Sequence, residues 1–191
     1  RVEHAQAADA YRTLTEEREA LGIVLTYPGG AAPRERVVTL TCSAGAAEPA
    51  GRSVIGVIGA GNFSRMSALP VLRKCDARLA CIADLDGVAA AHAGRKFGFE
   101  RTTTDYRELL NDPCINTLYV FTRHNVHARM VIEAIEAGKH VFVEKPLCLD
   151  LEELERVRVA YNAATGRQLM VGFNRRFSPH AVKMKSLLAG R

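Results

Sequence analysis

The chain has 191 residues, 48% of them hydrophobic and 25% charged, with a formal net charge of +5. That composition fits one ordinary globular domain with attachments and excludes a disordered chain; no apolar run approaches the ~18–20 residues that span a bilayer. Lysine and arginine are mixed with aspartate and glutamate, without a basic run or stacking aromatics, which argues against nucleic acid and leaves an anionic small molecule to explain the bias.

The first fifty residues read differently from the rest. Ala7, Ala10, Tyr11 and Leu14 make a small helical face that Gly22 would close, and Gly22–Tyr27 reads as a strand. Pro28–Pro33 is turn or linker material, Arg36–Thr41 could be a further strand, and Ser43–Gly51 is an Ala/Gly/Pro-rich lead-in. The expected organisation is an N-terminal piece over 1–28, a linker over 29–52, a main domain over 53–173 and the start of another domain over 174–191. The start Arg1-Val2-Glu3-His4 lacks a signal-peptide layout, and with no initial methionine the chain reads as excised from a longer protein.

From Ser53 onward short β-rich runs alternate with helices. Ser53–Gly59 (SVIGVIG) is nearly all apolar, as a central parallel strand covered on both faces should be. A helix over Asn62–Lys74, a strand over Arg78–Ala83 and an Ala-rich helix over Gly87–Phe97, stopped by Gly98, follow. Asp105-Tyr106-Arg107-Glu108 has capping-box form. Thr117–Phe121 is a third strand, and Ala128, Val131, Ile132 and Ile135 give the next helix one apolar face, with Gly138 ending it. His140–Val143 is a strand, Asp150 with Glu153 caps a helix running to about Ala164, Gln168–Phe173 is a strand, and Ser178–Leu188 is helical. The alternation predicts an α/β fold with a Rossmann-type doubly wound parallel sheet.

Two motifs carry chemistry. Gly59-Ala60-Gly61-Asn62-Phe63-Ser64 is a G-x-G-x-x-S turn between strand and helix, where Gly59 makes the tight turn and Gly61 lets the backbone approach a pyrophosphate at the helix N-terminus. Ser64 stands where Gly or Ala is usual. Asp84 closes the second strand and could accept hydrogen bonds from both hydroxyls of an adenine ribose, while repelling a 2′-phosphate; Leu85 follows where an NADP enzyme would often carry arginine. The pair favours NAD over NADP, although Asp84 could also be a plain helix cap and the same turn serves S-adenosylmethionine enzymes. The second motif is Glu144-Lys145-Pro146, a charged pair ending an apolar strand at the sheet edge where ligands of open α/β sheets bind; a surface salt bridge is the bland reading. The five cysteines, Cys42, Cys75, Cys81, Cys114 and Cys148, form no CxxC and have no zinc spacing, so they read as reduced thiols of a cytoplasmic protein without a metal site.

From about Val54 to Phe177 the chain resembles the Gfo/Idh/MocA oxidoreductases. The resemblance rests on Gly59–Ser64 with Pro70, on Asp84, on Thr122–His127, on the long match Glu136–Pro146 and on Gly172–Phe177. It implies hydride transfer between a nicotinamide cofactor and a sugar-like or polyol alcohol. Lys145 would be the catalytic group beside the nicotinamide, orienting the substrate hydroxyl and moving its proton, with burial and nearby positive charge tuning it. Gly59, Ala60, Gly61, Asn62, Phe63 and Asp84 would hold the adenosine diphosphate half. Glu144 would contact the nicotinamide-side ribose, and Thr122, Asn125 and His127 would line the cleft. Arg123 stands where the family usually has proline; with Arg175 and Arg176 it could contact an anionic group, such as the phosphates of a nucleotide-sugar, or be solvated surface. The family's second domain supplies an acid and a histidine for the substrate and commonly an oligomer interface, so this piece alone should be a poor catalyst.

A second resemblance covers Ala7–Leu14 and Leu21–Leu25, which are similar to the end of a medium-chain, zinc-type alcohol dehydrogenase. The order of the two segments resembles bi-domain oxidoreductases linked to surface-polysaccharide metabolism. Against the enzyme reading stand a non-catalytic module that senses a cofactor or nucleotide-sugar, and a nucleotide-binding scaffold with a decayed site.

Overall fold

The computed structural model describes residues 1–16, 22–27, 36–41 and 51–189. They fall into two units, Arg1–Glu35 and Arg36–Arg191. In the first, β1 (Val2–Glu3) pairs in parallel with β2 (Leu25–Thr26), and α1 (Ala7–Glu16) buries Ala10. The expected strand Gly22–Tyr27 thus narrows to two residues, while Pro28–Pro33 and most of Ser43–Gly51 lie outside the described residues.

The second unit is built on a seven-stranded sheet of the order β3-β6-β5-β4-β7-β8-β9. Its strands are β3 (Val37–Thr39), β4 (Ser53–Ile58), β5 (Ala77–Ala83), β6 (Arg101–Thr103), β7 (Thr117–Val120), β8 (His140–Glu144) and β9 (Leu169–Gly172). All pair in parallel except β3, which runs antiparallel on β6 as an edge. Val37–Thr39 therefore belongs to the sheet, although it falls within the stretch expected to be linker. β6 carries no apolar run: Arg101-Thr102-Thr103 is polar, its threonines are β-branched, and it joins the sheet through its bonds to β5 and β3.

The helices follow the apolar pattern. α3 (Gly87–Phe97) is capped by Asp86, whose carboxylate accepts from Val88 N and Ala89 N, and is stopped by Gly98 at φ +83°. α5 (His127–Glu136) buries Ala128, Val131 and Ile135 against β7 and β8, and α6 (Leu151–Ala163) packs on α5. Between them these helices cover one sheet face, with Leu118, Val120, Val141 and Val143 beneath. α2 (Leu69–Leu72), which follows the glycine turn, and α3 cover the other, over Ile55, Val57, Leu79 and Ile82. α4 (Arg107–Asn111) lacks the expected capping box. Asp105 does accept from Arg107 N, but its own N–H goes to Thr103 Oγ1, leaving nothing for Glu108 to cap. α7 (Pro179–Leu188) is capped by Ser178.

The helix after the glycine turn also departs from expectation. It begins at Asn62, passes through a π-helical turn over Ser64–Ala68 in which Leu69 N reaches back to Ser64 O, and becomes α-helical as α2 (Leu69–Leu72). Pro70 explains the widening: it donates no N–H, and its ring would crowd the Met66 carbonyl in a regular turn.

Candidate functional site

The strand order reverses between β5 and β7, on either side of β4, so the crevice for a ligand lies at the carboxyl ends of those strands. Gly59 sits there at φ +105°, donates to Ala83 O at 2.8 Å, and lies so close to β7 that a Cβ would stand 2.6 Å from Phe121 O. Only glycine meets both demands.

Gly61 is different. Its φ is not positive, and a Cβ there would meet nothing within 4 Å. The fold does not require glycine at 61; the space matches what a pyrophosphate approaching the helix N-terminus needs. Asn62 holds Arg65 at 2.9 Å through Oδ1, and Phe63, half-exposed, packs edge-on against Phe121. Ser64 is fully buried, and its Oγ has no hydrogen-bond partner among the described residues.

Asp84, beyond β5, accepts from Ala60 N at 2.6 Å on one oxygen and from Asp86 N at 2.9 Å on the other. It ties the glycine turn to the second strand. A carboxylate has about four acceptor positions, so capacity remains for ribose hydroxyls. Leu85 beside it is 93% exposed, leaving no cation to receive a 2′-phosphate at that position.

Across the crevice β8 delivers Glu144, half-buried, and Lys145, exposed; the Lys145–Pro146 peptide is cis. Glu144 Oε2 accepts from Lys145 N at 3.2 Å. The Glu144 carboxylate lies over Gly172 of the neighbouring strand, where a Cβ would come within 2.8 Å of Oε1. Gly172 thereby leaves the room that Glu144 occupies, a relation the sequence hid because the partners are 28 positions apart. The burial expected around Lys145 is not supplied by the described residues.

The expected cleft-lining group divides. Asn125 and Arg123 are exposed beyond β7. Thr122 turns inward, with its Oγ1 3.6 Å from Met130 Sδ. His127 has no exposed surface and stands behind the crevice: Nδ1 is 2.7 Å from Pro146 O and Nε2 is 3.1 Å from Thr122 O. Arg175 and Arg176 are exposed in the short turn after β9, Arg176 over the Phe177 ring. They leave the same sheet edge as Arg123, two strand spacings or about 10 Å along it.

Comparison with known proteins agrees with this fold. Residues 54–173 match the profile of GFO_IDH_MocA, the oxidoreductase family with an NAD-binding Rossmann fold. The inositol 2-dehydrogenase of Rhizobium meliloti is 36% identical over 135 residues, covering 70% of this chain and 39% of that protein. The scyllo-inositol 2-dehydrogenase (NAD(+)) of Bacillus subtilis is 40% identical over 103 residues, covering 54% and 30%. Among solved structures, the 3-ketoreductase KijD10 of Actinomadura kijaniata, in complex with TDP-benzene and NADP, superposes with a TM-score of 0.66 at 29% identity. It shares 72% of this chain and 43% of that one. The chain spans about two fifths of the length of the inositol 2-dehydrogenase it matches.

Proposed function

The chain belongs to the Gfo/Idh/MocA oxidoreductase family, as the NAD(P)-binding Rossmann domain of a nicotinamide-dependent oxidoreductase, and on that premise we propose that it serves the oxidation or reduction of a sugar-like or polyol alcohol with NAD in preference to NADP. One observation carries the reading. The open glycine at 61, with Asp84 fixed beside it, faces the Glu144-Lys145 end of β8 across the strand-order reversal.

The nicotinamide, when bound, supplies the hydride acceptor or donor. Gly59, Ala60, Gly61, Asn62 and Phe63 would admit the pyrophosphate to the helix N-terminus, and Asp84 would accept from the adenine ribose. Glu144, seated on Gly172, would accept from the second ribose, near Asn125 and the Thr122 turn. Lys145 Nζ would donate to the carbinol oxygen, orient it and relay its proton. Arg123, Arg175 and Arg176 would meet an anionic substrate group, for which the TDP-benzene in the KijD10 structure gives chemical precedent. Acid/base partners and the oligomer interface would come from a further domain. Residues 1–28 would be the end of a medium-chain dehydrogenase module, in a protein acting in the cytoplasm on surface-polysaccharide precursors.

The test has two arms. Calorimetry on the chain should show NAD binding tighter than NADP, with Asp84→Ala narrowing the gap; equal or tighter NADP binding refutes the preference. In a full-length protein carrying this domain, Lys145→Ala should depress turnover by about 10²–10⁴ with NAD affinity within a few-fold. Retained turnover removes Lys145 from the chemistry.

A further inference from the structure

The hydrogen-bond ladder between β7 and β8 ends at Val120↔Val143. Beyond it the two chain segments diverge into the Thr122 turn and the Lys145-Pro146 turn, which carry the groups on one side of the crevice. Among the described residues, the His127 side chain spans the gap. His127 opens α5, has no exposed surface, and places Nδ1 2.7 Å from Pro146 O and Nε2 3.1 Å from Thr122 O. Carbonyl oxygens only accept, so a ring N–H must point at one of them, and the shorter contact is to Pro146. The ring rides on a helix whose Ala128, Val131 and Ile135 are packed into the core, so its position is fixed by the body of the domain rather than by the loops.

We propose that His127 is a positioning residue for Lys145: its Nδ1–H donates to the Pro146 carbonyl and thereby holds the turn that presents the lysine to the crevice. The proposal rests on the reading of Lys145 as the group beside the nicotinamide. It differs from that reading in placing His127 out of reach of any ligand and giving it work to do through the backbone of its neighbour.

Two substitutions separate the ring's two contacts. The amide nitrogen of asparagine falls near the place of Nδ1, and that of glutamine near the place of Nε2, so His127→Asn keeps a donor toward Pro146 and His127→Gln moves it toward Thr122. Magnetic resonance on the 191-residue chain would read the Pro146 carbonyl-carbon shift and the Lys145 amide exchange rate, with the β4 amides as a measure of folding. His127→Asn should leave both signals close to those of the unsubstituted chain. His127→Gln should move the Pro146 carbonyl shift and speed Lys145 exchange about tenfold, the change expected when one hydrogen bond of ordinary strength is lost, with β4 unaffected. If the two variants behave alike while β4 holds, or if lost protection spreads equally to β4, the positioning role is overturned. The reading of Lys145 is tested apart from this: NADH, and not ADP, should shift the Lys145 amide of the unsubstituted chain.

Discussion

At the scale of single residues, the two glycines of the turn make opposite predictions. Gly59→Ala should destabilise the domain by about 2 kcal/mol or more, because positive φ and contact with the Phe121 carbonyl both oppose a side chain. Gly61→Ala should move the thermal midpoint little, since nothing lies near the added methyl, yet weaken NAD binding about tenfold by standing where phosphate must approach. Calorimetric scanning and titration on both variants check the pair; equal loss of binding and stability at 61 would contradict it. Ser64 offers a third outcome. Its buried hydroxyl lacks a partner among the described residues, so Ser64→Ala should stabilise by about 1 kcal/mol in urea unfolding, recovering the desolvation cost of the hydroxyl. The residue types at 59, 61, 84, 144 and 145 were all legible in the chain, because each belongs to a motif with fixed spacing. The seating of Glu144 on Gly172 and the clamp formed by His127 were not, because both depend on which strands become neighbours.

At the scale of elements, what the sequence conveyed was where apolar periodicity was strong. β4, β5, β7, α3 and α5 stand within a residue or so of expectation, whereas β6 escaped notice because its three residues, two of them β-branched threonines, show no apolar run. The amino-edge loop between α4 and β7 was equally silent, and it is held by charge. Lys139 is buried and donates to Asp112 O at 2.7 Å and Ile115 O at 2.8 Å; burial pushes its ammonium below the ordinary lysine range. Lys139→Met should cost about 3 kcal/mol in chemical unfolding by taking the ammonium from both carbonyls, of which Asp112 O keeps the long bond from Ile115 N at 3.3 Å, and a loss under about 0.5 kcal/mol, typical of a surface change, would show that water replaces it. Burial alone would raise the Asp112 carboxyl, but bonds from Arg101 and the Cys114 amide, with the charges of Arg101 and Lys139, hold it below the usual carboxylate range. Its folded-state pKa therefore lies below the unfolded one. The stability it contributes is present above about pH 4, the unfolded carboxylate value, and is lost as pH falls through the lower folded value. Asp112→Asn should flatten the decline of stability below pH 4 in urea titrations run at stepped pH; an unchanged slope would assign acid sensitivity to other carboxylates.

At the scale of the whole molecule, the strand order has a consequence for how the chain comes to be folded. β4 is made early but lies at the centre of the sheet, and its two neighbours are β5, beginning at Ala77, and β7, beginning at Thr117. Ser53-Val54-Ile55-Gly56-Val57-Ile58 must therefore wait, one flank open, until about sixty further residues have left the ribosome, on the order of several seconds at ordinary synthesis rates. An apolar, β-prone hexapeptide held with one edge open for that time is a site for intermolecular strand pairing. A chain cut after Asn116 should accordingly remain unfolded and collect in the insoluble fraction, whereas one cut after Phe173, with β7, β8 and β9 in place, should give the dispersed amide spectrum of a folded domain. Should the shorter piece prove folded and monomeric by sedimentation, the late arrival of β7 would carry no such cost, and β4 and β5 with their helices would form a nucleus able to stand alone.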